Sequence, residues 1–327
     1  MTDTEPLTLI LEDDVHITAA GAAVINATAP VLIRSPANAK LTLTVTGDDS
    51  VLCGILAPSV TVESGRLDIS IRNTSSSGAA AYGICAESGN GTISGGEIAI
   101  HLETGCHKNK GIYAARYISI TGGRITTAAY GGSNTFGLDG GDVSSAEDTN
   151  GGVFISGGYI ETDSGRAATR NYGIDSKYGT VKISGDAVVF IHEDESGRAD
   201  NFVYNENITA ISGGSAVVFT AAGEENYLLR SSAGLAQDTS LLSGKIFEIP
   251  AGMNLGLSRG VSLVVPADAR LLFGDGYGSF TCAGSTSPAD GGVVYFGEKP
   301  AAQETPAALP GVLAGLGIAA VAVIRKR

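Results

Sequence analysis

Residues 110–125 read KGIYAARYISITGGRI, and two short patterns inside this stretch decide how the chain folds. One is Gly111-Ile112-Tyr113-Ala114, a glycine followed by an apolar, a variable and a small residue. The other is Ile120-Thr121-Gly122-Gly123-Arg124-Ile125, in which apolar residues flank a glycine pair. Both recur. The glycine-pair pattern begins again at Val62, Ile93, Ile155, Ile183 and Ile211, so that, with Ile120, successive members start 31, 27, 35, 28 and 28 residues apart. The Gly-apolar pattern runs in phase with it at Gly54, Gly83, Gly137 and Gly173, with looser members at Val24 and Val203. Two patterns sharing one period mark a repeat architecture in which each unit buries its apolar face only against its neighbours.

Around these patterns apolar residues alternate, as in Ile98, Ile100 and Leu102, which is strand periodicity carried by β-branched side chains. The glycine pairs then turn the corners. Short strands joined by glycine corners at this period predict an all-β chain, a parallel β-helix (β-solenoid) whose coils stack at about 4.8 Å. The general crossover rule makes it right-handed. After Ile211 the rhythm changes: Ile249, Leu257, Val265 and Phe273 are 8 residues apart, and three such segments predict a coil of 24. The stretch between, Ala221–Gly244, lacks both patterns and reads as an inserted loop or a short helix over Leu228–Leu235. The expected organisation is an N-terminal cap over 1–20, a β-helix over 21–220, a continued solenoid with an irregular insertion over 221–297, a linker over 298–305 and an anchor over 306–327. Nine to eleven coils are expected in all.

Composition agrees with a large core. Glycine supplies 46 of 327 residues, yet mean hydropathy is +0.17 and only 17% of residues are charged, which is too apolar for a disordered chain. The net charge of −13 excludes nucleic acid as a partner, because binding phosphates needs basic patches. The four cysteines, Cys53, Cys85, Cys106 and Cys282, stand too far apart for a zinc site or a disulfide framework. Residues 306–324, PAALPGVLAGLGIAAVAVI, carry no charge and run into Arg325-Lys326-Arg327. At about 1.5 Å per residue such a helix covers about 28 Å, so a C-terminal transmembrane helix is expected, with the β-helix on the extracellular face of the cell. The first residues, MTDTEPLTLIL, have no basic segment and read as lacking a signal peptide.

Stacking turns each position of the repeat into a column of side chains. Arg66, Glu97, Arg124, Tyr159, Ala187 and Ser215 form one, whose alternating charges suit a salt-bridge ladder. A second column, Leu56, Cys85, Tyr113, Asp139, Asp175 and Tyr204, is expected to face outward beside a flat strip of glycines. Its tyrosines offer faces to sugar rings and its aspartates accept hydroxyl hydrogen bonds, so Tyr113, Asp139, Asp175 and Tyr204 are the candidate ligand-binding residues. Two carboxylates about 5 Å apart on adjacent coils would repel by about 3 kcal/mol at an effective dielectric near 20. They must then share a proton, bind a cation, or splay apart as a solvated column. The insertion at 140–152, GGDVSSAEDTNGG, emerges beside Asp139 and brings Asp142, Glu147 and Asp148. With Asp139 and Asp175 these could furnish oxygen ligands for Ca2+. The histidines form no metal spacing, and no grouping of aspartates with a basic residue marks a catalytic centre, so the chain reads as a non-enzyme.

The repeat in Lys110–Ala114 followed by Ile118–Ile125 resembles that of a bacterial cell-surface family of right-handed β-helix proteins, the carbohydrate-binding domain-containing proteins. The resemblance covers about residues 50–220. It implies a non-catalytic module that binds polysaccharide or a host or cell-wall glycan, adhesin-like; a structural surface stalk and a polysaccharide lyase or hydrolase of the parallel β-helix type are the alternatives. The family's aspartates before the Gly-apolar pair imply calcium sites, and here those places hold Cys53, Tyr82, Lys110, Phe136 and Tyr172.

Overall fold

The structure, a computed structural model, describes residues 5–73, 78–141, 151–165, 169–176, 179–192, 203–204, 209–211, 216–274, 276–282 and 293–296. These residues form an all-β, parallel β-solenoid of about eight turns, followed by a shorter stack of strands. Each complete coil contributes one strand to each of three sheets. The coil of residues 91–114, for example, supplies Gly91–Ile93 to the first sheet, Glu97–Thr104 to the second and Lys108–Ala114 to the third. Within these turns pairing between coils is parallel, as in Ile98 with Leu67 and Ile125.

The repeat residues sit where the packing needs them. Val62, Ile93 and Ile120 stack inward on the first sheet, Ile69 and Ile100 on the second and Ile55, Ile84 and Ile112 on the third, each at most 2% exposed. At the corner between the first and second sheets Gly65, Gly96, Gly123 and Gly158 have φ of +95°, +85°, +88° and +86°, a region that L residues with a Cβ avoid. The glycines of the other pattern have a different task. A Cβ on Gly54 would come within 2.5 Å of Ile69 Cγ2, and one on Gly111 within 2.8 Å of Thr127 Cβ. They therefore face the interior, where the third sheet presses on side chains of the second. The expected outward strip of glycines is buried for this reason.

Three further expectations are corrected. Residues 7–10 and 15–20 are not a separate cap: Leu7–Ile10 and Val15–Ala20 pair in parallel with Val31–Arg34 and Lys40–Thr46 and make the first coil. Its inward residues Leu7, Val15 and Ile17 stay 39–45% exposed, since the stack covers them on one side only. Nor is there a helix over 228–235, which holds parts of the strands Asn226–Leu229 and Ala233–Leu235. The charged column also shifts. Tyr159 pairs with Val188 rather than Ala187, and the ion pairs along it run from Lys40 to Asp68 (2.8 Å) and from Arg66 to Asp14 (3.5 Å), while Arg124 lies 3.9 Å over the ring of Tyr159.

The strand Asn226–Leu229 reverses direction, pairing antiparallel with Val217–Ala221 in the second sheet, and the chain then winds on in parallel coils. Ile246 with Arg270 and Thr239 with Leu263 are 24 residues apart, the coil expected from the 8-residue rhythm. The reversal carries the core to the other face of the sheet. Val189, Ile191 and Val218 belong to the first core, whereas Val188, Phe190, Val217 and Phe219 pack with Tyr227, Phe247, Leu257 and Leu263 in a second one. Strands buried on both faces lose their alternation, which accounts for the continuous apolar runs AVVFI and AVVFT.

Candidate functional site

The third sheet builds the site from two neighbouring columns. Tyr113 pairs in register with Cys85 and Asp139, Asp139 with Asp175, and Asp175 with Tyr204, so the four candidate ligand-binding residues do share one column. Beside it run Cys53, Tyr82, Lys110, Phe136 and Tyr172, also in register. The glycine between the two columns explains why both face outward. With Gly111 and Ile112 both directed into the core, Lys110 and Tyr113 emerge on the same side of the strand, and strict alternation fails across the pair.

Lys110 is the centre of the arrangement. Its ammonium lies 2.5 Å from Asp139 Oδ2, and the two side chains are only 4% and 5% exposed. The same nitrogen sits 4.1 Å from the ring centroid of Tyr113, 5.6 Å from Phe136 and 5.8 Å from Tyr82. Rings of adjacent coils also touch: Tyr82 and Tyr113 are 5.3 Å apart between centroids, and Phe136 and Tyr172 5.8 Å. A carboxylate and an electron-rich ring face together offset the cost of burying an ammonium. The positive charge that Asp139 requires beside Asp175 on the adjacent coil is thus present in the chain itself.

A pocket of about 110 Å³ opens here, lined by Lys108, Lys110, Asn134, Phe136, Asp139, Arg170 and Asp175. Burial pushes the Tyr172 hydroxyl above its ordinary pKa, with Arg170 pulling it down and Asp175 pushing it up, so both charges act on this ring. Higher in the same columns Cys53 and Cys85 are free thiols in contact; the hydrogen bond to Cys85, followed by burial, raises the pKa of Cys53. The Cys53 thiol therefore stays protonated and inert at neutral pH.

Of the expected metal ligands, Asp139 and Asp175 pair in register on adjacent coils, with Asp139 engaged by Lys110, and Asp142, Glu147 and Asp148 lie outside the described residues. Among the described residues no three His, Cys, Asp or Glu side chains converge on a common point. Lys108, Asn134 and Arg170 escaped the sequence reading, and Lys110, Phe136 and Tyr172 entered it only as replacements of the family's aspartates. The usable signal was the glycine itself, because an inward Gly-apolar pair places the residue before it on the same face as the residue after it. The expected anchor at 306–327 is outside the described residues, among which no helix is long and apolar enough to cross a membrane. The chain matches no family model, no curated protein and no solved structure.

Proposed function

We propose that this chain is a non-catalytic cell-surface module that binds polysaccharide, adhesin-like, on the outer face of its third sheet. The observation that carries this reading is the union of ring faces with a small charged pocket. Tyr82 and Tyr113 are half-buried, so each keeps some ring surface open beside the hydrogen-bonding groups of Asn134, Asp139 and Asp175. Fixed aromatic platforms flanked by donors and acceptors suit pyranose rings, whose faces are apolar and whose edges are hydroxylated. The coils wind right-handed in this reading, and the 306–327 segment anchors the chain with the solenoid outside the cell.

Binding to a panel of immobilised polysaccharides tests the proposal, with Tyr113→Ala and Tyr82→Ala beside the wild type. At least one polysaccharide should bind, and each variant should lose on the order of tenfold, equivalent to about 1.4 kcal/mol. Retention of no polysaccharide would leave the stalk as the better description. The closeness of Lys110, Asp139 and Asp175 favours one second reading, a lyase or hydrolase. Release of unsaturated or reducing sugars from a polysaccharide, lost in Lys110→Met, would establish it.

A further inference from the structure

We propose that the Lys110 ammonium and the Asp139 carboxylate condense into an intramolecular amide that ties two adjacent coils together covalently, a modification that does not depend on what the outer face binds. Distance is the first observation. Lys110 Nζ lies 2.5 Å from Asp139 Oδ2. A C–O bond of about 1.25 Å then puts the Asp139 carboxyl carbon at most about 3.8 Å from the same nitrogen, close to the separation of about 3–3.5 Å from which positioned groups react. Burial is the second. The ring centroids of Tyr113, Phe136 and Tyr82 lie 4.1–5.8 Å from the ammonium, and both side chains of the pair are nearly closed to water. In such surroundings two opposite charges keep much of their desolvation cost, whereas the amide that replaces them carries no charge. The Lys40–Asp68 pair sets the contrast: the same groups lie 2.8 Å apart but are 37% and 40% exposed, where water stabilises the ions and the pair stays ionic.

A neighbouring carboxyl group is the third observation. Asp175 pairs in register with Asp139 one coil on, is 7% exposed and lines the same pocket. An ammonium has no lone pair with which to attack, so protons must move first. Lys110 passes one proton to the Asp139 carboxylate, and the neutral Nζ attacks Asp139 Cγ to form the Nζ–Cγ bond. A second proton leaves the nitrogen and is relayed by Asp175 to the departing oxygen, and the Cγ–O bond breaks to release water. One ammonium and one carboxylate become one amide and one water; nothing is oxidised or reduced, and Asp175 ends as it began. Until the bond closes, the two groups form the ion pair described above. Once closed, it joins positions 110 and 139, so that this coil cannot unwind fully from its neighbour.

The test is the intact mass of the full chain, measured as purified and again after days in native buffer, beside Lys110→Arg and Asp175→Asn variants. The wild type should contain a species lighter by one water, its share holding or rising in buffer. Trypsin should release from that species residues 109–116 joined to residues 125–166 as one fragment. The lighter species should melt several degrees higher. Lys110→Arg keeps a cation beside Asp139 but has no amine to condense, so it should keep its full mass, with circular dichroism verifying that the fold is kept. Asp175→Asn should slow closure on the order of a hundredfold. A wild type that keeps its full mass throughout overturns the proposal, as does a lighter species formed equally by Lys110→Arg. Water lost within 125–166 alone, as when a succinimide closes at Asp139-Gly140, overturns it too. Closure at an unchanged rate in Asp175→Asn overturns the relay assigned to Asp175.

Discussion

Replacing Lys110 by methionine removes the positive charge at the centre of the site while keeping an unbranched side chain of similar length. It leaves Asp139, 5% exposed in its side chain, without the ammonium now 2.5 Å away. Breaking a buried ion pair from one side costs about 3–5 kcal/mol, because the remaining charge keeps its desolvation penalty and loses its compensation. The contact with the Tyr113 ring adds up to about 2 kcal/mol for a desolvated cation. Against a total stability of about 5–15 kcal/mol this is a large loss, readable as a shift of the urea midpoint. Asp139→Asn alone should also destabilise, though less, since the aromatic rings still face the ammonium. The decisive variant is Lys110→Met with Asp139→Asn. With no buried charge left unpaired at either position, it should recover most of the loss, giving a coupling of about 2 kcal/mol or more in the double-mutant cycle. Singles costing under about 1 kcal/mol, or losses that simply add, would show that the pair is solvated and that Lys110 does not organise the site.

Three more outcomes follow from the geometry. Gly111→Ala should destabilise by about 1–3 kcal/mol, since its Cβ would stand 2.6 Å from Gly137 O and 2.8 Å from Thr127 Cβ; Gly256→Ala, whose Cβ would meet nothing closer than 3.6 Å and whose φ is not in the left-handed region, should cost little, and equal midpoints for the two would contradict the inward orientation of the glycine column. Burial, followed by the nearby Glu161, pushes the Tyr159 hydroxyl up to about 12, so its contribution to stability is complete below about pH 10 and is lost as pH rises through 12, by about 3 kcal/mol in all; a urea midpoint that does not fall faster across that window in the wild type than in Tyr159→Phe would refute this. Calcium at millimolar concentration should leave the melting temperature unchanged while Lys110 neutralises Asp139, whereas a calcium-dependent rise that disappears in an Asp139→Ala, Asp175→Ala variant would establish a metal site there.

The period of the two glycine patterns was enough to read parallel coils, because a solenoid makes every coil solve the same packing problem and so repeats the same residues at the same places. The 8-residue rhythm of Ile249, Leu257 and Val265 was legible for the same reason, as was the sharing of one column by Tyr113, Asp139, Asp175 and Tyr204. Local pattern could not show that Asn226–Leu229 turns back against Val217–Ala221, since a strand's direction is set by its partner and not by its own residues. The second core depends on that reversal, with Phe190 and Phe219 on one face of strands whose Val189 and Val218 fill the other. The site was divided in the same way. In a regular strand, positions 110 and 113 fall on opposite faces. Only the tertiary structure shows Gly111 pressed against Thr127 of the second sheet, and it is this close approach that turns both neighbours outward and brings the Lys110 ammonium to Asp139.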